Sequence, residues 1–226
     1  MNAMSKSSKK YMPTYIIIAL NIIFYVYTSI LSGNIVEMDY YVIQQYGQYN
    51  LFVLNGAYWQ LFTSMFVHVS IIHLLGNMFF LLIFGLRAEE LFSLKEYLLI
   101  YFLSGLTGNL LTLLFGVDMI SAGASGAIFG IFGACIIYVR RAIGQSIISA
   151  LLYAFFLFMI NLGPDVNIFA HLGGLAVGLL IGYVLGTTRR RSVTPTYKYR
   201  YSFSTRSKNF MEVLKLPPSL CAHLSA

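Results

Sequence analysis

Apolar and polar residues along this chain do not alternate; they fall into long blocks. The first block, at about 13–31 and reading TYIIIALNIIFYVYTSIL from Thr14, follows Lys6, Lys9 and Lys10. No Asp, Glu, Lys or Arg occurs from Tyr41 to Leu86, only Asp118 from Tyr97 to Val139, and only Asp165 from Ala142 to Thr188. About 20 apolar residues suffice to cross a bilayer. The blocks therefore predict helical crossings at about 66–86, 97–115, 125–139, 146–162 and 167–186, which with the first make six. The breaks GVDMISAG and NLGPDVN each carry glycine and an acid, and the second adds Pro164, as turns do. The first block is long and aromatic and has no small-residue cleavage site, so it reads as a retained helix rather than a signal peptide. Between it and the second crossing, residues 32–65 mix Glu37, Asp39 and many tyrosines with Leu51–Leu54 and Trp59–Phe62, a pattern suited to an interfacial loop.

Composition agrees with an all-α, polytopic membrane protein. Of the 226 residues 58% are hydrophobic and 10% charged, whereas a soluble domain carries about 25% charged residues. Two cysteines do not make a disulfide framework: Cys135 lies in an apolar run and Cys221 in the tail, so both read as free thiols. Six crossings put all 15 basic residues on one side with Glu89, Glu90, Glu96 and Glu212, and leave Glu37, Asp39, Asp118 and Asp165 on the other. The positive-inside rule then makes both termini cytoplasmic. The expected layout is a cytoplasmic segment at 1–12, a membrane domain at 13–186 and a basic cytoplasmic tail at 187–226. The tail, with Arg189, Arg190 and Arg191, suits contact with anionic membrane lipids rather than nucleic acid. A compact chain without an organelle-targeting extension fits a prokaryotic plasma membrane.

Polar residues inside such blocks are costly and mark chemistry or packing. They include Asn21, His68, His73, Asn77, Asn109, Ser125, Asn161 and His171. Helices two, four and six run inward, so His73, Asn77, Ser125 and His171 all fall early in their helices, at one depth. Ser125 precedes Arg140 by 15 residues, about 22 Å of helix. That leaves it roughly 8 Å below the outer boundary of a core about 30 Å thick. Ser125 is flanked by Gly123 and Gly126, so it reads either as a helix cap beside a small-residue contact or as a hydroxyl with backbone N–H groups close by. Gly174 and Gly178 share the His171 face and allow the sixth helix to approach the fourth, bringing the imidazole toward Ser125. A serine needs such a base to become a nucleophile. No acid lies at the same depth, so hydrolysis here would rest on a Ser125–His171 dyad. His73 and Asn77, four apart on one face, could stabilise an oxyanion. His68, about 140° away if the helix extends back to it, would support that region or the loop. No HExxH motif, paired cysteines or membrane carboxylate is present, so neither metal nor cofactor is expected. A transporter or channel is the competing class, although it would have little charge with which to couple ions.

The segments WQLFTSMFVHVSIIHLLGNM from Trp59, FGLRAEE at 84–90, YFLSGLTGN at 101–109, GASG at 123–126 and AHLGG at 170–174 with Gly178 occur in an order that resembles the rhomboid family of intramembrane serine proteases. The resemblance implies a six-helix bundle with a water-filled cavity open to the outside and a half-submerged loop at 32–65. It implies Ser125 as nucleophile, His171 as general base and acid, and His73 and Asn77 beside the oxyanion. His68, Trp59, Gly123, Gly126, Gly174 and Gly178 would support them. Substrates would be transmembrane segments of other proteins, and relatives lacking the serine or histidine are non-proteolytic. The family often has Trp-Arg where this chain has Trp59-Gln60, so anchoring of the interfacial loop is expected to differ.

Overall fold

The computed structural model describes residues 12–144, 146–149, 151–153 and 166–189. Five long helices dominate: α1 (Met12–Ser32), α5 (Ile71–Leu91), α6 (Leu94–Thr112), α7 (Ser125–Ala142) and α8 (Ile168–Thr188). Three short helices, α2 (Tyr40–Tyr46), α3 (Asn50–Leu54) and α4 (Gln60–Thr63), fill the segment between α1 and α5. By length and composition each of the five long helices can cross a membrane. Their outer faces are apolar, with Ile23 63% and Ile30 74% exposed, while Asn21 and Thr28 of the same helix are fully buried. A surface of this kind is stable against hydrocarbon and not against water. The chain is a multi-pass helical membrane protein.

Local signals set the helix starts. Ser70 caps α5 by accepting from the amide of His73 at 3.2 Å. Glu96 accepts from both the amide and hydroxyl of Ser93 ahead of α6. Asn167 caps α8 by accepting from the amide of Ala170 at 3.0 Å. The second crossing thus runs from 71 to 91 and not from 66 to 86. Residues before Ser70 are drawn off by bonds to the loop after α1, where Met38 N donates to Val69 O and Ile71 N to Val36 O. The expected inner loop at 87–96 is correspondingly reduced to Phe92 and Ser93, and Glu89 lies inside α5.

The helix ends sort into two sets. At one end the Glu89 carboxylate accepts from Thr14 N at the start of α1 at 2.8 Å, Glu96 pairs with Arg189, and Gly186 lies against the Arg141 side chain. A carboxylate over the first turn of α1 also suits that helix's dipole. At the other end, the last turn of α6 meets the first turn of α8 through Asn167 and Thr112. Among the described residues α1, α5, α6 and α7 therefore alternate in direction, and α8 runs parallel to α7, as expected of the fourth and sixth crossings. The return from the end of α7 to the start of α8 falls between residues 143 and 166. Most of the crossing expected there at 146–162, with Asn161, Pro164 and Asp165, lies outside the described residues, as do 1–11 and 190–226.

Helices α6, α7 and α8 pack on one another, and α5 lies against α7 and α1. Glycine makes this possible. A Cβ on Gly174 would fall 2.0 Å from the Gly126 carbonyl oxygen, one on Gly178 2.0 Å from that of Gly130, and one on Gly182 2.4 Å from that of Ala134. The expected contact between the fourth and sixth helices is present and runs two turns deeper than Gly178. Helix α6 joins it where Gly108 meets the Ala170 carbonyl, a third participant that the glycine pattern of the other two helices does not reveal.

Candidate active site

Ser125 is the first residue of α7, where amide N–H groups have no carbonyl partner one turn back. The turn that delivers it depends on Gly123, whose φ of +127° lies in the region that glycine tolerates. A side chain at that position would also fall 2.8 Å from Cε1 of His73. The Gly123 amide donates to Ser64 O at 2.8 Å, so the turn is tied to the end of α4. Residues Ile120–Ser121 pair antiparallel with Gln48–Tyr49, a short ladder that ties the same stretch to the interfacial segment.

His171 stands one turn into α8, buried, with Nε2 2.7 Å from the Ser125 hydroxyl oxygen. The ring is held by packing: Phe129, four residues beyond Ser125 on α7, stacks on it with centroids 4.6 Å apart. Four residues make one helical turn, so a large side chain there lies directly beneath the serine. That spacing is the signal from which Phe129 could have been read in the sequence. The arrangement brings a hydroxyl and an imidazole nitrogen within hydrogen-bonding distance in a mostly apolar setting, as general-base activation of a nucleophile requires.

A cavity of about 490 Å³ opens around the pair, walled by α5, α7 and the first turn of α8. His73 and Asn77 both line it, as do Gly123, Gly126, Phe80, Phe84 and Phe132. His73 lies over Gly123 beside Ser125. Asn77 faces the same cavity, but its amide nitrogen already donates to the His73 carbonyl at 2.9 Å, which leaves one N–H for any other partner. His68 is fully buried outside α5, in the turn before it. A helical angle between His68 and His73 therefore does not apply, and their rings meet edge to face at 5.2 Å. Gly174 and Gly178 sit in the α7–α8 contact already described.

Trp59 is not brought to this site. It is 62% exposed on the turn before α4, where an amphipathic ring suits a membrane interface. Its neighbour Gln60 is the buried member of the pair, at 1% exposure. Gln60 Nε2 donates to Gln44 O and Gln45 O, and its Oε1 accepts from Tyr49 N at 2.9 Å. A neutral amide that both donates and accepts thus pins the interfacial segment without a charge. Further anchors come from Gln48 and Asn50, which the hydrophobic pattern did not single out, and from Asn109, which it did. Gln48 donates to Asn109 O, and Asn50 donates to Thr112 O and Gly116 O. Asn109 in turn donates to Leu61 O and Ser64 Oγ.

Comparison with known proteins points the same way. Residues 55–188 match the Rhomboid domain family. The chain is 43% identical over 139 residues to RHOMBOID-like protein 6, mitochondrial, of Arabidopsis thaliana, covering 59% of this chain and 45% of that protein. It is 35% identical over 151 residues to YdcA of Bacillus subtilis (strain 168), named as a candidate rhomboid protease, covering 63% of this chain and 75% of that one. Rhomboid-like protease 3 of Toxoplasma gondii is 30% identical over 168 residues, 71% of this chain and 64% of that protein. The chain spans less than half the length of the Arabidopsis relatives RHOMBOID-like proteins 6, 1 and 2. With the matched domain covering more than half of its residues and the helical membrane bundle on the page, the chain belongs to the rhomboid family.

Proposed function

We propose that this protein is an intramembrane serine endopeptidase that cleaves transmembrane or membrane-adjacent segments of other proteins with a Ser125–His171 dyad. The observation that carries this reading is the 2.7 Å approach of His171 Nε2 to the Ser125 hydroxyl at the wall of a cavity between membrane helices. In the reaction, Ser125 Oγ attacks the substrate carbonyl while its proton passes to His171 Nε2. The tetrahedral intermediate places its oxyanion toward the first amides of α7 and His73, with Asn77 contributing its remaining N–H. His171 returns the proton to the leaving amine and the C–N bond breaks. A water molecule, deprotonated by His171, then hydrolyses the acyl-serine ester and restores both groups. Aromatic packing from Phe129 replaces the acidic residue that orients the histidine in a triad.

The chemistry uses no metal or cofactor, and the partners are membrane lipids and transmembrane protein substrates. We read it as a plasma-membrane protein, and the charge distribution supports cytoplasmic termini with the cavity opening to the opposite side. Mass-spectrometric mapping of products after incubating the wild-type protein, Ser125→Ala and His171→Ala with a membrane proteome tests the proposal. New termini in or next to apolar segments should form only with the wild type. Equal products from Ser125→Ala would end the assignment.

A further inference from the structure

We infer that Asn167 is a positioning residue, whose side chain ties the His171-bearing turn of α8 to the end of α6 and, through Thr112, to the interfacial segment. This rests on the dyad proposed above. Asn167 acts with both halves of its amide. Its Oδ1 accepts from Ala170 N at 3.0 Å, which caps α8, and its Nδ2 donates to Thr112 Oγ1 at 2.9 Å. Its carbonyl accepts from His171 N at 3.3 Å, so the backbone carrying the imidazole is bonded directly to this residue. Thr112 is fully buried and is a junction: Oγ1 donates to Gly108 O at 2.9 Å, and its carbonyl accepts from Asn50 Nδ2 at 2.8 Å. Asn50 Nδ2 also donates to Gly116 O, in the loop that leads to Ser125. Phe115, in the turn just after α6, stacks on Phe169, a second clasp at the same junction.

A single amide with these contacts does more than cap a helix. The capping bond decides where α8 begins, and the bond to Thr112 decides how that beginning is placed against the bundle. His171 lies four residues on, one turn away, so a rotation or slide of the first turn moves the imidazole relative to Ser125. Close glycine contacts hold α8 from Ala170 onward, where the carbonyl meets Gly108 and Gly126. On the side nearer the helix start, the turn that carries His171 is held by Asn167 together with the ring of Phe169. Loss of these bonds should lower the fraction of molecules with Nε2 correctly placed, and so lower kcat, while leaving the cavity that binds substrate largely as it was.

The test is a double-mutant cycle in the full chain in detergent, comparing wild type, Asn167→Ala, Thr112→Val and the double variant. Each is followed by the rate of Ser125 labelling with a fluorescent fluorophosphonate, by kcat and KM on a transmembrane substrate, and by thermal unfolding. Asn167→Ala should slow labelling and kcat about tenfold with KM little changed, the order expected from losing a cap and a buried hydrogen bond. Thr112→Val should slow both about threefold in the wild-type background and add little to Asn167→Ala, because the shared bond is then already gone. Asn167→Asp, which keeps the capping oxygen, should recover part of the loss. Wild-type labelling by Asn167→Ala, or an equal effect of Thr112→Val in both backgrounds, would overturn the inference. His171→Ala is measured in parallel: if it labels normally, the dyad itself has failed, a result distinct from normal labelling by Asn167→Ala alone.

Discussion

A methyl group on Gly174 tests how closely the two helices must meet for chemistry. In Gly174→Ala the added Cβ would lie 2.0 Å from the Gly126 carbonyl oxygen, and side-chain carbons essentially never approach such an atom below 3.0 Å. The atom it meets is backbone, so no side chain can swing aside. Helices α7 and α8 have to separate by about 1 Å. His171 and Ser125 sit three residues before Gly174 on one helix and one residue before Gly126 on the other, at the point where the separation acts. Their 2.7 Å contact would then lengthen toward about 3.7 Å, outside hydrogen-bonding range. General-base assistance contributes on the order of a hundredfold or more to such a reaction, and most of it should be lost. Gly182→Ala supplies the comparison. Its Cβ would meet the Ala134 carbonyl at 2.4 Å, but about 12 Å farther along the helix. Overpacking should cost each variant about 1–3 kcal/mol of stability. Thermal unfolding in detergent should therefore place the two close together, while fluorophosphonate labelling of Ser125 falls far more in Gly174→Ala. Wild-type labelling by Gly174→Ala, or an equal fall in both, would refute the claim that helix separation at this level governs the dyad.

Other substitutions separate the remaining roles. Phe129→Ala removes the ring stacked on His171 and should lower kcat about tenfold with little change in KM, measured on a reconstituted transmembrane substrate; an unchanged kcat would show that another contact orients the imidazole. His73→Ala should reduce kcat on the order of a hundredfold, as loss of an oxyanion donor does. Asn77→Ala should cost less, because one of its N–H groups is already committed to the His73 carbonyl. The reverse ranking in steady-state assays would exchange their roles. Gln60→Ala leaves the Tyr49 amide and the Gln44 carbonyl without their partner and should lower stability by about 2–3 kcal/mol, visible as a fall in Tm; an unchanged Tm would mean that the interfacial segment does not depend on this anchor.

The apolar blocks made the helix directions legible, and with them the shared level of Ser125 and His171, because only a fixed alternation carries both residues to one end. The small-residue contact was legible too, since Gly174 and Gly178 recur on the histidine face. Helix ends were less so. Hydropathy cannot tell an apolar residue in a helix from one in an extended approach to it, so Phe66 to Val69 read as part of the second crossing although Ser70 caps it. The same limit assigned Arg87 to Glu90 to a loop, whereas a carboxylate at the end of a membrane helix can be met by a neighbouring helix, as one oxygen of Glu89 is by the Thr14 amide. Hidden altogether were the contacts between distant segments. The Trp59-Gln60 departure pointed to the loop's anchoring, but not to an exposed Trp59 or to which groups Gln60 holds, because its partners lie 11 to 16 residues away. The Asn167 to Thr112 bond spans 55 residues and emerges only once α6 and α8 are side by side.

The most direct test of the dyad is to locate a fluorophosphonate adduct by tandem mass spectrometry in the wild type and in His171→Ala, both folded by thermal unfolding in detergent. The account predicts a phosphonyl group on Ser125 in the wild type and its loss when the imidazole is removed. An adduct on another residue, or one on Ser125 that forms equally fast without His171, would contradict it.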